Sequence, residues 1–389
     1  MNELSRIANT CFIFLSTAVV WGFLNTESKT YYSQIWKRSS SYKSFQLLTF
    51  SSKEENTNNH LYDGTQITER RSKRSRKTFA DSYFQKNAQL PDPPFIHATL
   101  GRDSLRLVEQ NKTSDTRENS NHSVLIIGDV HGCFTELKDL VQKAIVEENG
   151  GNNFTAVILV GDLCNKGPDS IDVIQYVREQ PNWFAVRGNH DNGALRAMLG
   201  DTQQLLKGTY HWVQDNDKEG KKLITDLDVE WMANLPYTIT ILSSFFSSTQ
   251  QDELRKDTII VHAGLNPSLI DLQQQQNQNQ MITMRNVQRK AGPKNYNDEY
   301  LVTNAKEDSN TIFPWASQWK GPQRVIFGHD AKRGLQIYYH DDNKQKKDIL
   351  VAGLDTGAVY GNKLTGIILP SQKLVSVPSR KVYCPIVNK

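Results

Sequence analysis

The sequence contains few cysteines and no closely spaced pair of them. Only four cysteines occur among the 389 residues, at Cys11, Cys133, Cys164 and Cys384. A zinc ribbon needs C-x-x-C pairs, and a disulfide framework needs a dense set of cysteines in a short chain. The sequence supports neither of these classes, so Cys133 and Cys164 are interpreted as small buried residues.

A strong charge of one sign is also absent. The chain has 46 lysine and arginine residues against 42 aspartate and glutamate residues, a formal net charge of +4. This excess is too small for a protein that binds nucleic acid over its whole surface. One dense basic block, Arg70–Lys77, is interpreted as a solvated arm. An anion-binding tail, a nuclear signal and a dibasic processing site stay open as alternatives.

Long apolar runs are limited to the N-terminus. Residues 7–24 have no charge, and their length of about 18 residues is near the lower limit for a transmembrane helix. Trp21 and Phe23 stand where a signal peptidase needs small residues. An uncleaved single-pass membrane anchor over residues 1–24 is therefore favoured over a cleaved signal peptide.

The rest of the chain divides into two regions of different composition. Residues 25–120 are rich in serine, asparagine, lysine and threonine, which is typical of a stalk or linker. Over residues 121–389, apolar strand patterns alternate with helical patterns, as expected of a globular domain. Inside this domain, the polar run Gln273–Gln280 predicts a disordered surface loop.

The first part of the globular domain predicts a β-α-β-α-β unit. Apolar strands end at Gly128-Asp129, at Gly161-Asp162 and before Gly188-Asn189, with segments of i, i+3, i+4 apolar spacing between them. Strands that are apolar on both faces are typical of parallel sheets covered by helices, so the fold class is α/β. Further strands are predicted within residues 236–242, 258–265, 324–330 and 349–357.

Acid, amide and imidazole side chains follow five of these strands. They are Asp129, His131, Asp162, Asn189, His190, Asp191, His262 and His329. Ligands of open α/β sheets bind outside the carboxyl ends of the strands, so these side chains are expected to line one crevice. Oxygen and imidazole donors together suit Mn, Fe or Zn better than Ca, and their number suits two ions that share one carboxylate. A single Gly-Asp or strand-end histidine is usually structural; only the ordered set indicates a metal site.

The ordered motifs GDxHG, GD, GNHD, strand-end His and GH resemble those of the calcineurin-type metallophosphoesterase superfamily over roughly residues 124–366. This resemblance implies a sandwich of two mixed β-sheets flanked by helices, and it makes residues 121–389 the catalytic domain. It implies two divalent transition metal ions, Zn, Mn or Fe, with Co or Mg as substitutes in vitro. The implied ligands are Asp129, His131 and Asp162 for one ion, and Asp162, Asn189, His262 and His329 for the other.

The resemblance also implies a phosphohydrolase that forms no covalent enzyme intermediate. A hydroxide held between the two metals would attack phosphorus directly. His190 matches the catalytic histidine of the family and is the candidate general acid for the leaving oxygen, with a purely orienting role as the alternative. Asp191 is the nearest acid that could support His190 and is a second catalytic candidate.

The second motif departs from the GDxVDRG of Ser/Thr protein phosphatases. Asn165 and Lys166 stand where those enzymes have the second Asp and the Arg. Without the carboxylate, acid catalysis by His190 is expected to be weaker. That loss matters more for an alkoxide leaving group than for a phosphate leaving group. The pair therefore favours phosphoanhydride substrates over phosphoproteins.

Other segments refine the branch within the superfamily. "GDVHGCFTEL", "GDLCNKGPDS", "VHAGLNPSL" and "LDTGAVYGNKLTG" resemble the bacterial symmetrical diadenosine tetraphosphatases. The anchor, the stalk and the Lys-Gly-Pro of the second motif resemble a fungal group typified by a vacuolar endopolyphosphatase. The leading interpretation is therefore an endopolyphosphatase that cleaves inorganic polyphosphate internally. The alternatives are a hydrolase of dinucleoside polyphosphates or RNA caps, a Ser/Thr protein phosphatase, and an inactive membrane scaffold.

A polyanionic substrate needs cations beyond the metals. Lys166, Arg187, Lys332 and Arg333 lie in or beside the motif loops and are the candidate substrate-binding residues, with Arg196 as a further candidate. A structural or surface role is the alternative for each of them. No nucleic acid is expected as a partner, except as a capped substrate.

Membrane location follows from the resemblance, whereas orientation stays open. The fungal group implies a single-pass protein of the vacuole or another endomembrane. More basic residues follow the apolar segment than precede it, which favours a domain exposed to the cytoplasm. Sequons at Asn111, Asn121 and Asn153 favour the opposite side.

Overall fold

The structure is a computed structural model that describes ten main stretches of the chain. These are residues 95–101, 122–206, 208–214, 223–246, 256–269, 271–275, 277–290, 299–307, 310–340 and 348–385, together with Leu90, Pro93 and four strand segments between residues 30 and 51. The predicted membrane anchor, the basic block and most of the predicted stalk lie outside the described residues. Within the described part, no helix combines the length and apolar character needed to cross a bilayer.

The secondary structure alternates between strands and helices through the globular region. The strands are β1 Thr30–Tyr32, β2 Ile35–Trp36, β3 Phe45–Gln46, β4 Thr49–Ser51, β5 His97–Leu100, β6 Val124–Ile127, β7 Ala156–Leu159, β8 Trp183–Ala185, β9 Thr238–Ile241, β10 Thr258–Val261, β11 Asn286–Arg289, β12 Tyr300–Thr303, β13 Ile312–Pro314, β14 Arg324–Phe327, β15 Gln336–Tyr339, β16 Ile349–Gly353, β17 Lys363–Leu369 and β18 Lys373–Pro378. The α-helices are α1 Phe134–Lys143, α2 Ser170–Glu179, α3 Asn189–Met198, α4 Thr202–Leu206, α5 Asp226–Ala233, α6 Gln278–Thr283 and α7 Trp315–Gln318.

Two mixed sheets pack face to face. The larger sheet has the strand order β1-β4-β5-β9-β10-β14-β16-β15, and the smaller one has the order β18-β17-β6-β7-β8. Strands β6, β7 and β8 are parallel to one another, as are β10, β14 and β16. The antiparallel pairs β17–β6 and β15–β16 make both sheets mixed. The predicted α/β sandwich of two mixed sheets is confirmed.

Strand β6 shows why its sequence is apolar without interruption. Val124 and Ile126 are buried in the layer between the two sheets, where Ile260 of the larger sheet also lies. Leu125 and Ile127 face the other way and pack in the core beneath the helices. Because successive strand residues point to opposite faces, a strand covered on both faces has no position for a polar side chain.

The larger sheet is covered on its outer face by elements that the sequence did not reveal. A three-stranded sheet of order β12-β11-β13 lies there. Val287 and Tyr300 of this sheet and Trp315 of α7 are buried in one cluster with Ile259 and Val325 of the larger sheet. This small sheet stands beside the carboxyl ends of β10 and β14, next to two of the predicted metal ligands.

The described residues of the glutamine-rich run, which are all but Gln276, do not form the disordered loop that their composition predicted. The last three residues of the run open α6, and the Asn277 side chain caps that helix by accepting a hydrogen bond from the Gln280 backbone at 3.1 Å. Met281 and Ile282 bury the apolar side of the helix. The Gln275 amide is buried and donates to two backbone carbonyls. A cap, an apolar contact and a buried amide therefore order a segment that looks featureless in the sequence.

The boundary predicted at residue 121 also needs correction. Strand β5 precedes that boundary and pairs in parallel with β9. Its apolar residues, Ala98 and Leu100, are fully buried between the sheets. Only two apolar residues alternate with polar ones in β5, which is too short a pattern to detect in the sequence. The stalk interpretation is thus wrong for residues 97–100 and for strands β1 and β4 of the same sheet, while the rest of the three-part division stays a prediction.

Candidate active site

The strand ends named in the sequence meet at one edge of the sandwich. In the smaller sheet, β6 leads to Asp129 and His131, β7 leads to Asp162, and β8 leads to Asn189 at the start of α3. The larger sheet contributes His262 after β10 and His329 after β14. The site is therefore assembled from both sheets, and the structure brings all six predicted metal ligands together.

Asp162 lies between the two groups of predicted ligands. Its Oδ2 atom is 3.4 Å from Nε2 of His131, and its Oδ1 atom is 3.3 Å from Nε2 of His262. Asn189 Oδ1 is 3.0 Å from His262 Nε2 and 2.9 Å from His329 Nδ1. The Asp129 carboxylate accepts the backbone N–H of His329 at 3.0 Å. This arrangement agrees with a carboxylate shared by two cations.

Each of the three imidazoles is oriented by a backbone carbonyl. His131 Nδ1 lies 3.2 Å from Cys164 O, and His262 Nδ1 lies 2.9 Å from Val160 O. For His329 the ring nitrogen in contact with a carbonyl, Thr283 O at 3.2 Å, is Nε2. A carbonyl only accepts, so the N–H of each ring points to the backbone and the lone pair of the other nitrogen points into the cluster.

This donor set fits cations. The lone pairs of His262 and His329 face Asn189 Oδ1, and oxygens of Asp162 face His131 and His262. Acceptors that face one another repel unless a positive charge lies between them. Two groups have ligand atoms within 4.8 Å of one another: His131, Asp162 and His190, and Asp162, His262 and His329. The chemistry of the donors therefore suits two divalent metal ions.

Burial dominates the ionisation of these groups. It raises the pKa of Asp162 to about 7, although Lys166 opposes the shift. It also raises the pKa of Asp129, and the nearby Asp355 carboxylate adds to that shift. Burial lowers the pKa of His262 to about 4. Burying charged carboxylates among neutral imidazoles costs free energy. Bound cations would offset that cost.

Asp355 is a site residue that the sequence analysis did not select. It follows β16, which is parallel to β14, and its carboxylate lies near enough to Asp129 to raise the pKa of that residue. Its Oδ1 atom also accepts the backbone N–H of Gly357 at 3.1 Å. The signal was present, because an apolar strand followed by an acid in "LVAGLDTG" repeats the pattern used for Asp129 and Asp162.

The glycines of the motifs allow the close approach of backbone to carboxylate. A Cβ atom on Gly188 would collide with the carboxylate of Asp162, and one on Gly328 would collide with that of Asp129. The backbone around the site is strained as well. Among the described residues, six non-glycine residues have positive φ, and five of these are site residues: His131, Asp162, Asn165, Lys166 and His329. Such strain persists where the surrounding structure holds it, and it clusters at functional sites.

His190 is held by Asn165. The Asn165 side-chain nitrogen lies 2.8 Å from His190 Nδ1, and the backbone N–H of His190 donates to Asp162 Oδ1 at 2.8 Å. Burial, with Lys166 nearby, holds the pKa of His190 well below its usual range. Asn165 thus occupies the orienting position expected from the motif, with an uncharged amide.

Asp191 does not reach His190 and instead supports the backbone of the two motif loops. Its carboxylate accepts hydrogen bonds from the backbone N–H groups of Leu163 at 2.9 Å and Gly188 at 3.0 Å, and from the Cys164 thiol at 3.3 Å. The expectation that Asp191 assists His190 is therefore wrong. Because Asp191 is the third residue of α3, its carboxylate turns back to the helix N-terminus.

The predicted substrate cations lie in different environments. Lys166 is in the site, with Nζ 3.1 Å from His131 Nε2 and 5.3 Å from the centre of the Tyr360 ring. Lys332 is exposed beside the His329 loop. Arg333 and Arg196 are held by acidic neighbours: Arg333 pairs with Asp330 and Glu307, and Arg196 pairs with Asp201.

Arg187 is a structural residue and does not face the site. It is 1% exposed, and its Nη2 atom donates to the carbonyl of Ala233 at 2.6 Å. Its guanidinium group also contacts the ring and hydroxyl of Tyr237. The substrate-binding prediction is wrong here because β8 turns this side chain toward α5, away from the metal ligands.

A second cation of the site, Arg285, was missed. It lies between α6 and β11, and its Nη2 atom donates to the carbonyl of His329 at 3.2 Å. Its side chain is 49% exposed and is 3.6 Å from Asp330. No motif in the sequence marks this residue, because the small sheet that positions it was not predicted.

The fold and the donor set define a metal-dependent phosphoesterase: two mixed sheets hold a shared aspartate among histidine, aspartate and asparagine ligands. The chain belongs to the calcineurin-like phosphoesterase family, whose sequence model matches residues 122–350. The family resemblance drawn from the motifs is confirmed, and the chain is a phosphohydrolase.

Three known proteins that are similar to this chain carry related descriptions. The asymmetrical bis(5'-nucleosyl)-tetraphosphatase PrpE of Bacillus mycoides is 27% identical over 277 residues, covering 67% of this chain and 96% of the relative. The PrpE of Halalkalibacterium halodurans is 27% identical over 271 residues, covering 68% and 96%. A solved structure provisionally described as a diadenosine tetraphosphatase is 28% identical, with a TM-score of 0.50, and covers 73% of this chain and 98% of its own.

Proposed function

We propose that this chain hydrolyses the phosphoanhydride bonds of dinucleoside polyphosphates. The observation that carries the proposal is the match to the tetraphosphatases, which extends over 96% of the length of each PrpE relative reported above. From the sequence motifs, this activity is the alternative to endopolyphosphatase. None of the relatives reported above is described as a polyphosphatase, so the alternative becomes the main proposal.

The six predicted ligands would hold two divalent ions, for which Zn, Mn and Fe are the candidates. When bound, such a pair activates water for attack on phosphorus and offsets the charge of the phosphoryl oxygens. Asp162 would contact both ions, since its two oxygens face different histidines. The imidazoles of His131, His262 and His329 would be supported by the carbonyls that fix their tautomers.

Two cations would hold the phosphate chain of the dinucleotide on either side of the two metal ions. Lys166 lies beside His131, and Arg285 lies beside His329. Lys166 presents a single point charge, whereas Arg285 presents a planar fork that suits two phosphoryl oxygens. A chain of phosphates that spans the centre can contact both side chains.

His190 would donate a proton or hydrogen bond to the leaving oxygen through Nε2. The Asn165 amide occupies Nδ1, which leaves the other ring nitrogen for the substrate. An amide supplies no negative charge to strengthen proton transfer. This neutral pair is adequate for a phosphate leaving group, which requires less protonation than an alkoxide does.

The experiment offers three substrates in parallel to the full chain supplied with Mn, Zn, Co or Mg. These are diadenosine tetraphosphate, long-chain inorganic polyphosphate and a phosphoserine peptide. We expect the dinucleotide to have the highest kcat/KM. Chromatography of its products separates unequal cleavage, into a mono- and a triphosphate, from equal cleavage into two diphosphates.

Asp162→Asn provides the inactive control, because it removes charge from both predicted ion sites. We expect it to lower activity at least about 100-fold together with the bound metal. Asp139→Asn, a change in an exposed ion pair with Arg380, is the matched control and should leave both unchanged. Turnover of polyphosphate without turnover of the dinucleotide would restore the endopolyphosphatase interpretation. Turnover of the phosphopeptide alone would refute both.

The membrane anchor over residues 1–24 and the endomembrane location are carried forward only as proposals from the sequence. They rest on the apolar segment and on the fungal resemblance. Imaging of a fluorescent fusion of the full chain, compared with a fusion that lacks residues 1–24, tests them together. Identical distributions of the two fusions would argue against an anchor.

A further inference from the structure

A polar cavity opens directly beside two of the predicted metal ligands. It has a volume of about 440 Å³, and its wall includes Asn189, Thr283, Arg285, Asn286, Asn304 and His329. We name it the β11–β12 cavity, because Asn286 begins β11 and Asn304 follows the last residue of β12. Its volume lies within the range of about 300–1,000 Å³ that is usual for small-molecule sites.

The turn that carries Asn304 is fixed on both sides. Asn286 pairs with Thr303 across the β11–β12 ladder, and its amide donates to the carbonyl of Ala305 at 2.8 Å. The Thr303 hydroxyl accepts the backbone N–H of Ala305 at 3.1 Å. The backbone on either side of Asn304 is therefore held in place.

Arg333 binds both ends of this turn through its guanidinium group. Its Nη2 atom donates to Asn286 Oδ1 at 2.6 Å, and the same guanidinium group pairs with Glu307 at the far end of the turn. Arg333 also pairs with Asp330, next to His329. Through Arg333, the turn that carries Asn304 is tied to the loop that carries a predicted metal ligand.

The Asn304 carboxamide itself has no hydrogen-bond partner among the described residues, and it is exposed at the cavity. The fixed backbone places this unpaired donor and acceptor pair at the mouth of the cavity. Arg285 lies across the same cavity, nearer the metal ligand His329. The cavity thus presents a cation close to the predicted metal ligands and a neutral amide farther from them.

We propose that the β11–β12 cavity binds the nucleoside of the substrate, with adenine paired to the Asn304 carboxamide. This inference rests on the proposed function. A nucleotide has the matching order of groups, because its phosphate would meet Arg285 and its base would meet Asn304. The donor and acceptor of a carboxamide complement the adjacent amino group and ring nitrogen of adenine.

The wall chemistry disfavours a further stretch of inorganic polyphosphate in this cavity. Arg285 is the only cation among the residues that line it within the described part of the chain. Extra phosphates would lie against asparagine and threonine side chains without charge compensation. A neutral base with polar edges fits such a wall better.

The test compares diadenosine tetraphosphate with linear inorganic tetraphosphate, which has the same chain of phosphates and no nucleoside. Asn304→Ala in the full chain should raise KM for the dinucleotide about 3- to 10-fold, as expected for one lost hydrogen bond. The ratio of kcat/KM for the dinucleotide to that for inorganic tetraphosphate should fall by the same factor.

Asn362→Ala is the matched control. Asn362 is also an exposed asparagine and lines a different cavity, of about 530 Å³, with Thr356 and Leu335. This variant should leave the ratio unchanged. An unchanged ratio in Asn304→Ala, or a drop in Asn362→Ala alone, would overturn the nucleoside assignment.

Failure of the inference and failure of the proposed function give different results. If the unaltered chain does not hydrolyse the dinucleotide, the proposed function fails. If it does hydrolyse the dinucleotide and Asn304→Ala leaves the ratio unchanged, the function stands and the β11–β12 cavity is not the nucleoside site.

Discussion

Asn165 is the single residue that most distinguishes this site from that of a protein phosphatase. It is fully buried, has a φ of 75°, and contacts the predicted general acid His190. Asparagine tolerates the left-handed region better than most residues, so the position meets a backbone requirement and a hydrogen-bonding requirement at once. Its neutral amide orients the imidazole without making it more basic.

Asn165→Gly should separate these two roles. Glycine keeps the positive φ at no steric cost and removes only the amide. We expect kcat for diadenosine tetraphosphate to fall about 10- to 100-fold, because His190 loses its orienting partner. Steady-state kinetics, with metal content measured on the same sample, checks this.

Asn165→Asp serves as the companion variant. Its carboxylate has nearly the same shape and can accept a hydrogen bond from the His190 ring, so it should retain more activity than the glycine variant. Equal kcat in the glycine variant and the unaltered chain would show that Asn165 does not orient His190.

At this scale the sequence predicts well which polar side chains meet at the site, and it predicts the neighbouring charges poorly. Asp129, Asp162 and His329 each follow an apolar strand directly, so their position in the sheet fixes where they point. Arg187 follows a strand too, but only the location of α5 decides that it turns away from the site. The Asp191 carboxylate accepts the backbone N–H of Gly188 at the start of α3. No sequence pattern near His190 predicts this hydrogen bond.

Among the elements, β8 and α5 are joined by one buried guanidinium group. Arg187 follows β8 and donates to the carbonyls of Met232 and Ala233 in α5. The last helical carbonyls lack partners within their own helix, so a buried arginine that supplies N–H groups there completes the end of α5. The link also fixes the strand that precedes Asn189.

Arg187→Met should lower the free energy of unfolding by about 2–3 kcal/mol, because it removes the donor to the Ala233 carbonyl and the contacts with Tyr237. Denaturant unfolding followed by circular dichroism measures the loss. Lys332→Met is the control, since Lys332 is exposed and its change should stay within about 0.5 kcal/mol.

The kinetics of the folded Arg187→Met protein discriminate between the two roles of this residue. A structural residue changes KM little once the protein is folded and loaded with metal. A large increase in KM without a loss of stability would show that Arg187 binds substrate after all.

Elements with an uninterrupted apolar or helical pattern were predictable, and elements without one were not. The helices α1 and α2 and the strands β6, β7, β10, β14 and β16 are marked by uninterrupted apolar runs or helical periodicity. Strands β11 and β12 each have four residues, and their exposed positions break any apolar run. These strands line the β11–β12 cavity, so the proposed nucleoside site is less visible in the sequence than the cluster of predicted metal ligands.

For the whole molecule, a half-buried histidine in the larger sheet links stability to pH. His97 lies on β5, with Nδ1 2.9 Å from the Thr238 hydroxyl of β9. Burial lowers its pKa from 6.5 to about 4, and Asp271 opposes that shift only in part. The unfolded chain therefore binds this proton at a higher pH than the folded chain does.

Stability should consequently fall as the pH is lowered from about 6.5 to about 4, and level off for this group below that. The contribution of His97 over this window is about 3 kcal/mol. His97→Asn has no such proton to bind. Lowering the pH from 7 to 4 should therefore raise the unfolding free energy of the variant, relative to that of the unaltered chain, by about 3 kcal/mol.

Comparison of the two proteins at each pH, at one metal concentration, cancels the common effect of protonating the metal-site histidines. Denaturant titrations at pH 7, 5.5 and 4 provide the measurement. A difference that stays constant with pH would show that His97 is protonated equally in both states.

The hydrogen bond between the His329 backbone and the Asp129 carboxylate joins residues 200 positions apart. Loops that long close late and slowly, so the metal centre is a product of folding and cannot nucleate it. No fragment that stops before β14 contains a full set of donors. Once filled, the centre acts as a cross-link between the sheets: ions that bind only the complete fold stabilise it by mass action, and the cell's supply of metal becomes a determinant of how long the protein survives.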